Sequence, residues 1–354
     1  ALDAESDLLF VVSDVGQHVD IYRLHRPATA ADDISMPVLV HTIETRGHYP
    51  VLAEVDPYNK RLYINAIAES DTSFAIHVYD YSNLDRVAPV NGSPFIVPAA
   101  AAIALDAPRQ LLFCVSIRDS LLRAYDVSDD TLREIEGEPL ALSENANGTN
   151  STRFSVPHLN VDPWSGRLFV TRNQWDLSEP MVFNYIPEVR GSVPFNHEDI
   201  ERLSGPANVS LPATDRAPIV FGGTTLVDPL SGASFFMGNT WTGTGLGGAM
   251  FPITPDLTFD SACQDFPSSG SGDPDIGCAL QVYVNRQPAG APYSEGYGCV
   301  LPSQRMVVSV STENAESSQL FVHAYGRDSA IVPVLTAEGY TASTSTLPIA
   351  VACH

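Results

Sequence analysis

ALDAESDLLFVVS, residues 1–13, and ALDAPRQLLFCVS, residues 104–116, match at nine of thirteen positions without a gap. Self-similarity over tens of residues decides the architecture before local propensity does, because each copy is a unit that buries its apolar faces against its neighbours. The pattern of apolar strand, turn and second apolar strand recurs as AEVDPYNKRLYIN from Ala53, NVDPWSGRLFVTR from Asn160 and LVDPLSGASFFMG from Leu226. CVLPSQRMVVSVS from Cys299 is a weaker sixth copy. With Asp3, Asp56, Asp106, Asp162, Asp228 and Pro302 as markers, the spacings are 53, 50, 56, 66 and 74 residues, and 55 more close the circle through His354 to Asp3.

The turns have a physical basis: Pro presets φ for the first central turn position, and Asp, Asn or Gly accepts the unusual geometry that follows. Each interval also holds two further strand candidates, such as Ala75–Tyr81 in the second unit, and Leu121–Asp126 with Leu132–Ile135 in the third. Four strands per unit make a propeller blade. The reading is all-β, a single β-propeller domain over 1–354 with six blades. Seven stay open, because the divergent stretch 238–299 has room for a degenerate one. Long inserts fall near 188–217 and 256–276, and helical periodicity is confined to one short turn at His197–Leu203. The C-terminal LPIAVAC (347–353) resembles AAAIAL (100–105), so it is expected to give the inner strand of a blade whose other strands are 8–13, 19–24 and 38–43. The ring would then close on N- and C-terminal strands sharing a blade, leaving no open sheet edge.

The turn Asp56-Pro57 with Arg61-Leu62-Tyr63-Ile64, and its copy Asp162-Pro163 with Arg167-Leu168-Phe169-Val170, resembles the repeat of the YVTN and lactonase-type β-propellers. The resemblance spans most of the chain and implies the fold. The broad group includes sugar lactonases, surface-layer repeats and secreted proteins, so it leaves activity open.

A formal charge of −23 repels phosphate backbones and anionic headgroups, which argues against nucleic acid and membrane surfaces as partners. Cationic partners or metal ions suit it better; solubility is the plainer reading. No apolar run is long enough for a transmembrane segment, the longest being Phe95–Leu105. The sequence opens without a basic and apolar leader, so any export signal is expected to be removed or to lie outside it.

Cys114 sits in the apolar run LLFCVS and reads as a buried free thiol, whereas Cys263, Cys278, Cys299 and Cys353 lie among Gly, Ser and Asp. Those four read as two disulfides. Three pairings exist; Cys263 with Cys278 and Cys299 with Cys353 is favoured. Such bridges imply an extracytoplasmic location: periplasm, cell surface or secretion. Sequons at Asn91, Asn147, Asn150 and Asn208 would be glycosylation sites in a eukaryotic secreted protein.

In a propeller the starts of the inner strands share a face with the loops between second and third strands, and function gathers there. This brings His48 and His158 to the channel mouth, with Arg118, Asp119, Arg172, Asn173, Trp175, Asp176 and Trp241 from the loops. Imidazoles, guanidinium groups, carboxylates and indoles together suit a metal or an anionic, sugar-like ligand. The plainer readings stand beside this: histidines satisfying backbone groups at blade entrances, indoles packing under loops, and Arg118 and Arg172 pairing with Asp119 and Asp176. In SSGSGDPDIG (268–277), Asp273 and Asp275 are weak candidates for calcium or another divalent metal; the loop lacks the twelve-residue calcium pattern and reads otherwise as disulfide-tied. No nucleophile elbow, HExxH, CxxC or phosphate loop is present in the sequence. The expectation is a recognition or assembly module for a protein or glycan partner. Its rivals are a metal-assisted, lactonase-like hydrolase at the channel mouth and a structural subunit of an extracellular complex.

Overall fold

A computed structural model describes the backbone of residues 1–3, 5–13, 16–24, 37–68, 73–98, 100–116, 119–142, 155–163, 166–173, 178–185, 196–204, 219–227, 234–241, 246–253, 280–283, 297–301, 306–314, 317–325 and 331–341. Side chains are described within these ranges up to residue 201, except at 155–158, 171–173, 178–180 and 182.

Every sheet is antiparallel and follows chain order. The first comprises β1 (Leu2–Asp3), β2 (Leu8–Ser13), β3 (His18–Arg23) and β4 (Val38–Glu44). The second comprises β5 (His48–Asp56), β6 (Arg61–Ala68), β7 (Phe74–Asp80) and β8 (Ala88–Pro89), with β9 (Phe95–Val97) also on β7. The third has β10 (Ala100–Asp106), β11 (Leu111–Ser116), β12 (Leu121–Asp126) and β13 (Arg133–Glu134), with β14 (Leu140–Ala141) also on β12. A fourth is built from β15 (Ser155–Asp162), β16 (Arg167–Asn173), β17 (Ser178–Asn184) and β18 (Glu201–Ser204). The fifth runs β19 (Ile219–Val227), β20 (Ser234–Trp241), β21 (Leu246–Ile253) and β22 (Leu280–Tyr283). The sixth runs β23 (Tyr297–Leu301), β24 (Met306–Asn314), β25 (Ser317–Tyr325) and β26 (Ile331–Thr341). Each sheet contains a meander of four strands, and the second and third carry a fifth. They fall into two compact units, one holding Ala1–Asn150 with Val189–Asp199, the other Ser151–Glu188 with Ile200–Cys353.

The first unit shows why its middle strands read as unbroken apolar runs. Leu62 and Ile64 of β6 pack with Leu8, Phe10, Val19 and Ile21 of the first sheet. Tyr63, between them, packs the other way, with Ile103, Leu112 and Cys114 of the third. A strand covered on both faces has no polar side to show; LLFCVS of β11 is buried at every position.

Two differences from the sequence reading lie around residue 200. Only His197–Asp199 forms a helical turn, because Glu201–Ser204 is drawn into pairing with β17 as the outer strand of the fourth sheet. The expected insert at 188–217 therefore contains a sheet strand. LPIAVAC and the insert near 256–276 lie outside the described residues.

The hairpins joining first to second strands repeat one device. Asp3, Asp56, Asp106 and Asp162 end β1, β5, β10 and β15, and all are buried. Asp3 Oδ1 accepts from the backbone N–H of Glu5 and Ser6, both at 3.0 Å. Asp56 Oδ1 does the same for Tyr58 at 2.9 Å and Asn59 at 3.1 Å. The second oxygen reaches across to the next sheet's hairpin: Lys60 Nζ donates to Asp3 Oδ2 at 3.0 Å, and Gln110 Nε2 to Asp56 Oδ2 at 2.8 Å. Tyr81 adds its hydroxyl to Asp3 Oδ2 at 2.9 Å. Lys60 and Gln110 each stand four places after their own hairpin's Asp, where the backbone turns left-handed: φ is 54° at Lys60 and 56° at Gln110, as at Asp7 (54°) and Gly166 (70°); Asp106 Oδ2 accepts from Arg109 Nη1 of its own hairpin at 2.8 Å.

Candidate functional site

The opposite end of the sheets, where first strands start, is where the sequence places its candidates. His48 opens β5 after a tight turn in which Gly47 has φ +77°, a conformation an L side chain rarely adopts. Gly47 N–H donates to Gln17 Oε1 at 3.1 Å, and His48 N–H to Thr45 O at 2.8 Å, so the strand entrance is fixed on both sides.

The register of β5 on β6 then shifts between Pro50 and Leu52, skipping Val51. Such a bulge reverses which side chains face which way. Because of it, His48 and Pro50, opposite Ala68 and Ala66, share a face with Ala53, opposite Ile64. His77 of β7 is also opposite Ile64, so it lies on that face too.

The two imidazoles meet, with ring centroids 4.7 Å apart and planes at 76°. Tyr79 stacks near His77, centroids 6.4 Å apart and planes within 5°. His77 is 7% exposed, and burial, then the proximity of His48, lower its pKa to about 4. It is a neutral imidazole at physiological pH. Nδ1 of His48 and Nε2 of His77 are buried without hydrogen-bond partners.

Asp119 begins the approach to β12. Its carboxylate binds Arg123, with Nη2 to Oδ2 at 2.6 Å and Nη1 to Oδ1 at 3.2 Å. Burial raises the Asp119 pKa, but bonds from Arg123, Ser116 and the Leu121 amide outweigh it and hold the group below the usual carboxylate range. The plainer sequence reading gave Asp119 the neighbouring Arg118 as partner, and that pairing lies outside the described residues; the partner described is Arg123, on β12. Arg118, Trp175 and Asp176 lie outside the described residues, as do Asp273, Asp275, Asn147, Asn150 and Asn208. His158, Arg172, Asn173, Trp241 and Cys299 stand on β15, β16, β20 and β23, where the backbone alone is described. Cys263, Cys278 and Cys353 are also outside it, while Cys114 is a buried free thiol. Asn91 is exposed in the turn between β8 and β9.

Sequence reading missed His77 and Arg123. A histidine inside the apolar FAIHVYD and an arginine inside LLRAYD were the available signals, each a polar group in a strand otherwise buried on both faces. Among the described residues, no three His, Cys, Asp or Glu cluster as a metal site.

No protein-family model matches the chain, and no curated protein matches it. Solved structures do. A protein from Lactobacillus plantarum superposes with TM-score 0.55 at 12% identity over 94% of this chain and 82% of its own. A candidate 6-phosphogluconolactonase from Bacteroides uniformis gives 0.55 at 9% over 96% and 84%. A Desulfotomaculum acetoxidans protein of unknown function gives 0.55 at 13% over 98% and 85%. At such identities the likeness shows the fold alone, and that fold is of the β-propeller type. Among the described residues no helix is long and apolar enough to cross a membrane.

Proposed function

We propose that the chain is a single six-bladed propeller, closed by N- and C-terminal strands in one blade, acting as an extracytoplasmic recognition or assembly module for a protein or glycan partner. The observation that carries this reading is a contrast between hairpins and loops. The Asp-ended hairpin recurs from sheet to sheet, whereas the second-to-third-strand loops vary in length and make-up, sharing at most a single Asp: ESDTS at 69–73, IRDS at 117–120, QWDL at 174–177 and TGTG at 242–245. A constant scaffold under variable loops is how rigid folds present binding surfaces. The four C-terminal cysteines support the oxidising compartment, which intact mass before and after reduction checks.

The functional test sets binding against turnover on the full chain. Glycan and peptide arrays are expected to give saturable binding that is lost when residues 174–177 become Gly and Ser, with the melting temperature unchanged. Turnover of lactones or sugar esters, abolished in His48→Ala, would overturn the proposal in favour of the hydrolase.

A further inference from the structure

We infer that His48 and His77 form a binding site for a late divalent transition metal. Two buried ring nitrogens without partners, on imidazoles 4.7 Å apart, are the only such histidine pair among the described residues. Leaving a buried polar atom unpartnered costs about 1–3 kcal/mol, and native proteins keep such groups where an ion, a water or a reaction uses them.

The spacing of the ring centroids is that of two ligands on one ion. With metal–nitrogen bonds of about 2.0–2.1 Å, an imidazole centroid sits roughly 3.2 Å from the metal. Two centroids 4.7 Å apart then subtend an angle of about 95° at the ion. That falls near the angles of tetragonal and tetrahedral coordination.

The ligand chemistry selects the class. Neutral imidazole nitrogen suits copper(II), nickel(II) and zinc, with copper(II) bound most tightly, whereas calcium and magnesium require oxygen ligands. His48 is half-buried, so the pair lies near solvent even though its Nδ1 is covered. The Val51 bulge puts both rings on one face before any metal arrives, and Tyr79 backs His77.

The test is titration of the full chain with copper(II) or zinc alone, read by calorimetry and, for copper, by electron paramagnetic resonance. One ion should bind, with two equivalent nitrogen couplings in the copper spectrum and a higher melting temperature. His48→Gln and His77→Gln should each weaken binding by more than the roughly 10-fold that loss of an outer-shell partner costs. They should also reduce the coupling to one nitrogen. His48→Gln, at the half-buried ring, should leave the melting temperature of the metal-free protein little changed, which separates lost ligation from lost folding; His77→Gln also gives up its ring contacts with His48 and Tyr79, so its metal-free melting temperature should fall. The chain has nine histidines, so unchanged affinity or unchanged nitrogen coupling in His77→Gln would overturn the assignment, as would no binding by the unaltered chain.

Discussion

The two ends of the second sheet hold their polar groups in opposite conditions. At the hairpin end Asp56 is fully buried, and hydrogen bonds fill both its oxygens. Roughly 26 Å of strand away, at the start of β5, two imidazoles are brought together with a nitrogen each left over. The hairpin end is saturated, so its groups hold sheets together and have nothing to offer a ligand. Within this sheet the buried polar atoms left without partners, His48 Nδ1, His77 Nε2 and Asn65 Oδ1, all lie away from the hairpin, and that asymmetry separates a scaffold end from an end with bonds to offer.

The largest way to break the comparison is at Asp3. Asp3→Ala strips acceptors from two turn amides, the Tyr81 hydroxyl and the Lys60 ammonium together. Removing one partner of a buried ion pair costs about 3–5 kcal/mol; because Lys60 is 29% exposed, about 3 kcal/mol is expected in denaturant unfolding. The loss is pH-dependent. Burial raises the Asp3 pKa, but bonds from Lys60, Ser6 and Tyr81 outweigh it and hold the carboxyl below its ordinary 3.8. Its contribution is therefore complete above pH 3.8 and fades as pH falls through the lowered value, where variant and parent should converge. A gap that persists in acid would assign the loss to the turn alone.

How much of this was legible in the sequence follows from the range of each interaction. The Asp markers stood out because an Asp before a tight turn is a local signal, written within four residues. The alternation of faces in LLFCVS was legible as an unbroken apolar run. The partners of the Asp residues were not, since the place four residues on is occupied by Lys60, Gln110 or Gly166 and only the left-handed φ unites them. His48 was found as a strand start. His77 was not, because its meeting with His48 depends on a one-residue bulge that a period of two cannot reveal.

Gln110 sharpens the comparison on the hairpin side, with a smaller effect. Its side chain supplies one of four bonds to the Asp56 carboxylate, and losing a bond to a charged group costs about 1.5–3 kcal/mol. Gln110→Ala should lose about 2 kcal/mol. Gln110→Gly should lose about 1 kcal/mol less than that, because φ 56° is left-handed and glycine recovers the strain that alanine retains. Denaturant midpoints for the two variants settle the order. Glycine proving worse than alanine would mean that the clasp, and not the turn, sets the conformation.

The smallest effect comes from a histidine in the opposite condition to His48 and His77. His197 is buried with both nitrogens engaged: the Ala124 amide donates to Nε2 at 3.0 Å, and Nδ1 lies 3.2 Å from Glu136 O. A backbone N–H can only donate, so Nε2 carries no proton and Nδ1–H is the donor to Glu136. Protonation would set an N–H against an N–H. Burial lowers the His197 pKa below its ordinary 6.5 and Arg123 lowers it further; Glu134 and the backbone of Glu136 and Gly137 push the other way without overcoming burial. The unfolded chain therefore takes up the proton first, and the stability His197 contributes is complete above pH 6.5 and lost as pH falls through the lowered value. His197→Gln offers the same acceptor and donor without titrating. It should match the parent at neutral pH, be more stable by about 1 kcal/mol near the acid end of that window, and bind metal as the parent does. Equal acid sensitivity in parent and variant would show that the proton goes elsewhere.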